Sequence, residues 1–157
     1  FANTTGYYNT FAGQAAGYSN TTGYSNTFAG LQAGYANTTG ANNTFAGMNA
    51  GYNAGVALAT ITDGVFLGYS ANASVDGLSN VIAIGSTAQV TKSNQVVLGN
   101  ASIAETLLRG AVLLAEMTPP AAPAANGMTL FLDDLVGKTR LMCRFGSGVA
   151  IQLAIEV

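Results

Sequence analysis

Polar and apolar positions recur along this chain in a fixed order. Residues 3–19 read NTTGYYNTFAGQAAGYS, residues 20–36 NTTGYSNTFAGLQAGYA and residues 37–53 NTTGANNTFAGMNAGYN, three copies of one 17-residue unit without insertion. Such self-similarity marks a repeat architecture, in which each unit buries its apolar side only against its neighbours. Within every unit a short Thr-Phe-Ala run lies between polar residues and a glycine, the pattern of a short strand bounded by turns. Glycine returns at three phases: Gly6, Gly23 and Gly40; Gly13, Gly30 and Gly47; Gly17, Gly34 and Gly51. In a helix each would cost about 1 kcal/mol relative to Ala, whereas a corner that needs positive φ favours them. The unit therefore predicts one coil of a parallel β-solenoid, with coils stacked ~4.8 Å apart.

Stacking gives each repeated residue a physical role. Asn3, Asn20 and Asn37 fall above one another, as do Asn9, Asn26 and Asn43, so their side-chain amides can form Asn ladders along the stack. Phe11, Phe28 and Phe45 form an apolar aromatic ladder, and Tyr18, Tyr35 and Tyr52 a second. Ala16, Ala33 and Ala50 permit close packing at a corner. The pattern continues more loosely through Val65–Gly68, Ile82–Gly85 and Val97–Gly99, with glycine steps of 21, 17 and 14 residues from Gly47 onward. The longer step implies a four-residue insertion near Val56–Thr62. The Phe column runs through Phe66 and meets Ala83 in the next coil, while Ile82 and Ile84 carry the bulk. Because strand side chains alternate, this predicts that the buried face changes between early and late coils.

Beyond the repeats the texture changes. Met117–Ala125 holds all three prolines and cannot continue a strand or helix, so it reads as an extended linker. Ala101–Glu116 reads as strand in preference to helical turn. Gly127–Asp133, Thr139–Phe145 and Val149–Glu156 are three strand candidates joined by short polar or glycine-rich segments, a small antiparallel meander. Alternation puts Lys138, Arg140, Met142 and Arg144 on one face and Thr139, Leu141 and Cys143 on the other. The chain thus divides into a β-roll over 1–103, a connecting segment over 104–125 and a C-terminal β cap over 126–157.

Composition narrows the function. Charged residues are 8% of the chain, against roughly 25% in an average soluble protein, and residues 1–62 contain none. A surface so poor in charge predicts burial against other chains. The net charge is −2 and the five basic residues are scattered, so nothing could neutralise a row of phosphates, and nucleic acid is not an expected partner. No apolar run approaches the ~20 residues that span a bilayer. There is no His and one Cys, Cys143. That inventory is poor for catalysis and for metal binding, and no cofactor or metal is expected. Asp133 and Asp134 are adjacent, so in a strand they point to opposite faces and do not suit a paired-carboxylate mechanism. Asp63 and Asp76 each precede glycine, as turn residues do. The Asn-x-Thr triplets read as ladder residues and not as glycan acceptors.

Several motifs resemble known families. NVIAIG at Asn80–Gly85 and NQVVLG at Asn94–Gly99 are similar to the S-V-A-I-G units of the YadA-like head in trimeric autotransporter adhesins. The NTTG, NTFAG and AGY units resemble a repeat of bacterial surface proteins and phage tail fibres, and Asn94–Arg109 resembles the segment before the distal end of tail-fibre-like proteins. The resemblance covers roughly residues 1–110. It implies a left-handed parallel β-roll, three of which pack side by side as a homotrimer, and binding at a cell surface. The chain opens mid-repeat, since Phe1 falls where Tyr18, Tyr35 and Tyr52 fall, and reads as a piece of a longer polypeptide.

The expected function is a non-enzymatic, extracellular trimeric shaft, as in a phage tail fibre of the virion, with attachment to a cell-surface glycan. The alternatives are a bacterial adhesin head, a purely structural spacer, and an ice-binding solenoid built on Thr4-Thr5, Thr21-Thr22 and Thr38-Thr39. Tyr7, Tyr8 and Tyr24 are the candidate receptor-binding residues, because they sit where the repeats differ and tyrosine can cover a sugar face. The same tyrosines could instead pack at the trimer interface.

Overall fold

The computed structural model describes residues 2–107, 128–134, 139–145 and 150–155. Phe1–Thr106 and Leu107–Val157 form two compact units. The described residues are all β and turn, with no helix among them. The Pro/Ala-rich stretch expected as a linker lies outside the described residues.

In the first unit, β1 (Thr10–Ala12), β2 (Thr27–Ala29), β3 (Thr44–Ala46), β4 (Thr62–Leu67), β6 (Ser79–Ile84) and β8 (Gln95–Leu98) form one parallel sheet in that order. A two-stranded parallel sheet pairs β5 (Asn72–Ala73) with β7 (Gln89–Val90). The chain is a parallel β-solenoid of about five turns. Register follows the repeat: Phe11 lies opposite Phe28, Phe28 opposite Phe45, Phe45 opposite Phe66, Phe66 opposite Ala83, and Ala83 opposite Val97.

The four extra residues of the long coil lie slightly earlier than the sequence suggested. The Gly17 and Gly34 amides reach the Ala33 and Ala50 carbonyls in the regular register, whereas Thr38 reaches across to Ala59. The insertion therefore falls within residues 53–58, where Asn53 and Val56 form an isolated antiparallel bridge. The short coil loses its residues after β7: Ser74 donates to Val90, but Ser79 already meets Ser93.

The glycines fall where a side chain has no room. At Gly30, with φ +137°, a Cβ would sit 2.4 Å from the carbonyl oxygen of Gly47 in the next coil. At Gly34, with φ +58°, it would sit 2.5 Å from the Phe28 ring. Glycine corners therefore set both the coil-to-coil approach and the depth to which the ring inserts.

The expected change of buried face does not occur. Val81 and Ala83 are fully buried, Ile82 is half-buried and Ile84 is 40% exposed. The inward side stays inward in every coil; what changes is its filling. Phe28, Phe45 and Phe66 fill the early and middle coils, and Val81, Val90 and Leu78 fill the later ones. The bulk of Ile82 and Ile84 stands on the outside of the sheet.

In the second unit, β9 (Met128–Asp134), β10 (Thr139–Phe145) and β11 (Ala150–Ile155) pair antiparallel in the order β11-β10-β9. Asp133 lies opposite Arg140. Along β10 the neighbours Met142 and Cys143, which alternation places on opposite faces, are both buried. The register on β11 slips at that point, with Leu141 opposite Ala154 and Met142 opposite Gln152. The extra residue, Leu153, is on β11, and β10 keeps an unbroken register with β9. Ala101–Leu107, expected as the start of a strand, forms a turn followed by exposed non-regular chain.

Gly34→Ala is expected to destabilise the protein by roughly 2–4 kcal/mol, through left-handed backbone strain and overlap with Phe28. Gly55→Ala, where the nearest atom to a new Cβ is 3.6 Å away, is expected to stay within ~0.5 kcal/mol. Denaturant unfolding of the two variants checks the contrast.

Candidate functional site

The interior columns account for the repeated polar residues. Asn20 Nδ2 donates to Asn3 Oδ1 at 3.1 Å, and Asn37 Nδ2 to Asn20 Oδ1 at 2.8 Å. Each amide also donates to the carbonyl three residues on, at Gly6, Gly23 and Gly40. This is the expected amide ladder, with Asn20 and Asn37 fully buried. It stops where Leu58 takes the next position, leaving Asn37 Oδ1 buried without a partner.

The second column works differently. Asn9, Asn26 and Asn43 stack, but their amides bond to backbone and not to one another. The Asn26 N–H donates to Asn9 Oδ1 and the Asn43 N–H to Asn26 Oδ1, both at 3.0 Å. Each Nδ2 donates to a carbonyl of the following coil, at Gly23, Gly40 and Ile61. This column ends satisfied, because the Gly64 N–H donates to Asn43 Oδ1 at 2.8 Å.

The NTTG segment has a use that its sequence did not reveal. The N–H groups of Thr4, Thr5 and Gly6 converge on the Thr21 carbonyl oxygen at 2.9, 3.1 and 3.1 Å, and the Thr4 hydroxyl donates to it at 3.0 Å. The same convergence recurs from Thr21, Thr22 and Gly23 to Thr38, and from Thr38, Thr39 and Gly40 to Ala59. These are backbone nests that hold the carbonyl of the next coil. The hydroxyls of Thr4, Thr21 and Thr38 are thus committed to the fold and not presented as a free grid.

The aromatic columns stack as the period requires. The Phe11, Phe28, Phe45 and Phe66 rings lie 5.1, 4.9 and 4.6 Å apart, near parallel. Tyr18 stacks on Tyr35 at 5.3 Å, and Tyr35 meets Tyr52 edge-on at 5.4 Å.

Two features remain on the outside. The first is the tyrosine cluster, whose three candidate residues the fold brings together. Tyr7 and Tyr24 stack at 5.0 Å and 6°, and Tyr8 stands edge-on to Tyr7 at 5.1 Å and 82°. Tyr7 is 52% exposed, Tyr8 83% and Tyr24 38%.

The second is the outer face of the six-stranded sheet. Its two outward columns begin as Thr10, Thr27 and Thr44 beside Ala12, Ala29 and Ala46. They continue as Val65, Ile82 and Val96 beside Leu67, Ile84 and Leu98. Val96 is 62% and Leu98 51% exposed. The signal was present in the sequence as the change from TFA to VFL, IAI and VVL, but reading it needed the knowledge that the centre of each triplet stays inside.

Of the two acidic residues expected in turns, Asp76 lies in a bend, whereas Asp63 lies within β4 at a φ of 51°. Asp63 accepts from Asn42 Nδ2 at 3.0 Å, and Asp76 accepts from the Thr60 N–H and hydroxyl at 2.9 and 3.1 Å. Among the described residues there is no group of three His, Cys, Asp or Glu that could hold a metal, and no helix long and apolar enough to cross a membrane.

Asn43→Ala strands the Ile61 carbonyl and the Gly64 N–H in the core, and is expected to cost roughly 2–4 kcal/mol. Asn3→Ala, at the exposed end of its ladder, is expected to cost less than ~1 kcal/mol. Thermal and denaturant unfolding of the two variants tests this order.

Comparison with protein-family models, curated proteins and solved structures gives no match to this chain.

Proposed function

We propose that this chain is a segment of a non-enzymatic, homotrimeric extracellular fibre, a shaft of the phage tail-fibre type that also attaches to a cell-surface glycan. The observation that carries the reading is the outer sheet face, where Val65, Leu67, Ile82, Ile84, Val96 and Leu98 form a contiguous aliphatic surface on an all-parallel sheet. Parallel sheets are almost always covered on both faces, because each face is built of branched aliphatics that water solvates poorly. Here the inner face is filled by the solenoid core, while Ile84, Val96 and Leu98 on the outer face are exposed.

A second copy of the chain is the cover that best suits this surface. Parallel copies in the same register place the Val/Ile/Leu coils against one another and the Thr/Ala coils against one another. Any shifted or reversed arrangement sets aliphatic coils against threonines. The absence of charge in residues 1–62 removes the repulsion and desolvation that would oppose side-by-side packing along the early coils. The number three, the left-handed coil and the extracellular setting come from the resemblance to trimeric adhesin heads and tail fibres. The meander of β9, β10 and β11 takes the role of a terminal cap in this reading.

Light scattering on the purified chain is expected to give three times 15.8 kDa. The double variant Ile84→Lys, Val96→Lys is expected to give a folded species of 15.8 kDa, since both side chains point outward. A monomeric native chain, or a variant that still assembles, would remove the trimer from the proposal. Cell binding by the isolated trimer separates attachment from a spacer role: a folded trimer that fails to bind leaves only the spacer.

A further inference from the structure

Tyr8 occupies a backbone position that its neighbours in the stack treat very differently. Its column continues as Ser25, Asn42, Asp63, Asn80 and Asn94, all with positive φ between 51° and 58°. Those are small polar residues, of which Asn and Asp in particular tolerate the left-handed region by bonding locally. Tyr8 has φ 56° and is, among the described residues, the sole aromatic with positive φ. A bulky side chain there is under strain. Burial does not offset it, because the ring is 83% exposed. An aromatic ring held by a strained backbone and aimed at solvent points to a use outside the fold.

The surroundings narrow that use. Tyr7 stands at 82° to Tyr8, so the two rings form an aromatic corner, and Tyr24 backs Tyr7 with a near-parallel ring. Ser25 follows Tyr8 in the stack. It is exposed. Residues 1–62 supply no cation to meet a carboxylate, sulfate or phosphate and no anion to meet an amine. An apolar ring face with a neutral hydroxyl residue beside it matches the C–H face and hydroxyl edge of an uncharged pyranose.

We propose that Tyr8, with Tyr7 and Tyr24, is a platform for neutral saccharides, and that uronic, sialylated, sulfated and phosphorylated sugars are not its ligands. This deepens the attachment reading above and rests on it, though the platform lies within one chain and does not itself require the trimer.

The test uses the full chain on agarose, dextran and mannan, with heparin and polysialic acid as the anionic set. Retention on at least one neutral matrix is expected, changing less than twofold between low and high salt. Tyr8→Asn is expected to reduce retention at least tenfold while unfolding at the same or a higher temperature than the native chain, because Asn suits this φ. Tyr8→Phe is expected to keep most of the retention. No retention on any neutral matrix, retention confined to heparin or polysialic acid, or equal retention by Tyr8→Asn would each overturn the platform. A native chain of monomeric mass that still binds dextran or mannan through Tyr8 would sink the trimer and leave the platform standing.

Discussion

Everything in the first unit depends on the backbone hydrogen bonds that run from each coil to the next at the strand spacing. Once Thr10 is opposite Thr27 and Thr27 opposite Thr44, every chemically equivalent residue is forced into a column. A column leaves little freedom: each side chain must either bond to its own copy, stack on it, or be small enough to pass. Asn does the first, Phe and Tyr the second, and Gly and Ala the third. The nests formed by Thr4, Thr5 and Gly6 reinforce the same constraint, since three N–H groups converge on one carbonyl of the following coil.

The solenoid changes its means of filling the interior partway along. In the early coils buried asparagines satisfy backbone groups that the tight glycine corners expose. From the fourth coil Leu58 takes the place of Asn37's copy, and Ile61 stands where Gly40 stood. One ladder ends with an unpartnered oxygen at Asn37, the other with a satisfied one at Asn43. The difference follows from what succeeds each: a leucine side chain has no donor, whereas the Gly64 backbone does. The exchange of a polar interior for an aliphatic one occurs beside the four-residue insertion that falls within 53–58.

Inside and outside are therefore independent. The centre of each strand triplet remains buried whatever its size, from Phe66 to Ala83 to Val97, while the flanking positions pass from Thr and Ala to Val, Ile and Leu. A face that alters without disturbing the core can be shaped for association. A rim position such as Tyr8, outside the strand, can be shaped for a ligand. The two proposed roles occupy separate columns for this reason.

The amino-acid sequence by itself determined the period, the parallel stacking, the Phe and Tyr columns, the first Asn ladder and the neighbourhood of the insertion. These follow from repetition alone, because a fixed period in a stacked coil dictates which residues coincide. Tertiary structure decided what repetition leaves open. The Asn9, Asn26 and Asn43 column bonds to backbone because its amides lie beside the strand entry, where carbonyls of the next coil are within reach. The outward placement of Ile82 and Ile84 was misread from side-chain size, since bulk does not reveal which way a strand residue faces. The register slip of β11 beside Met142 also lay beyond the sequence, since a bulge leaves no mark on its partner strand. The strain at Tyr8 was equally invisible, because φ at that position is imposed by the column and not by the residue that occupies it.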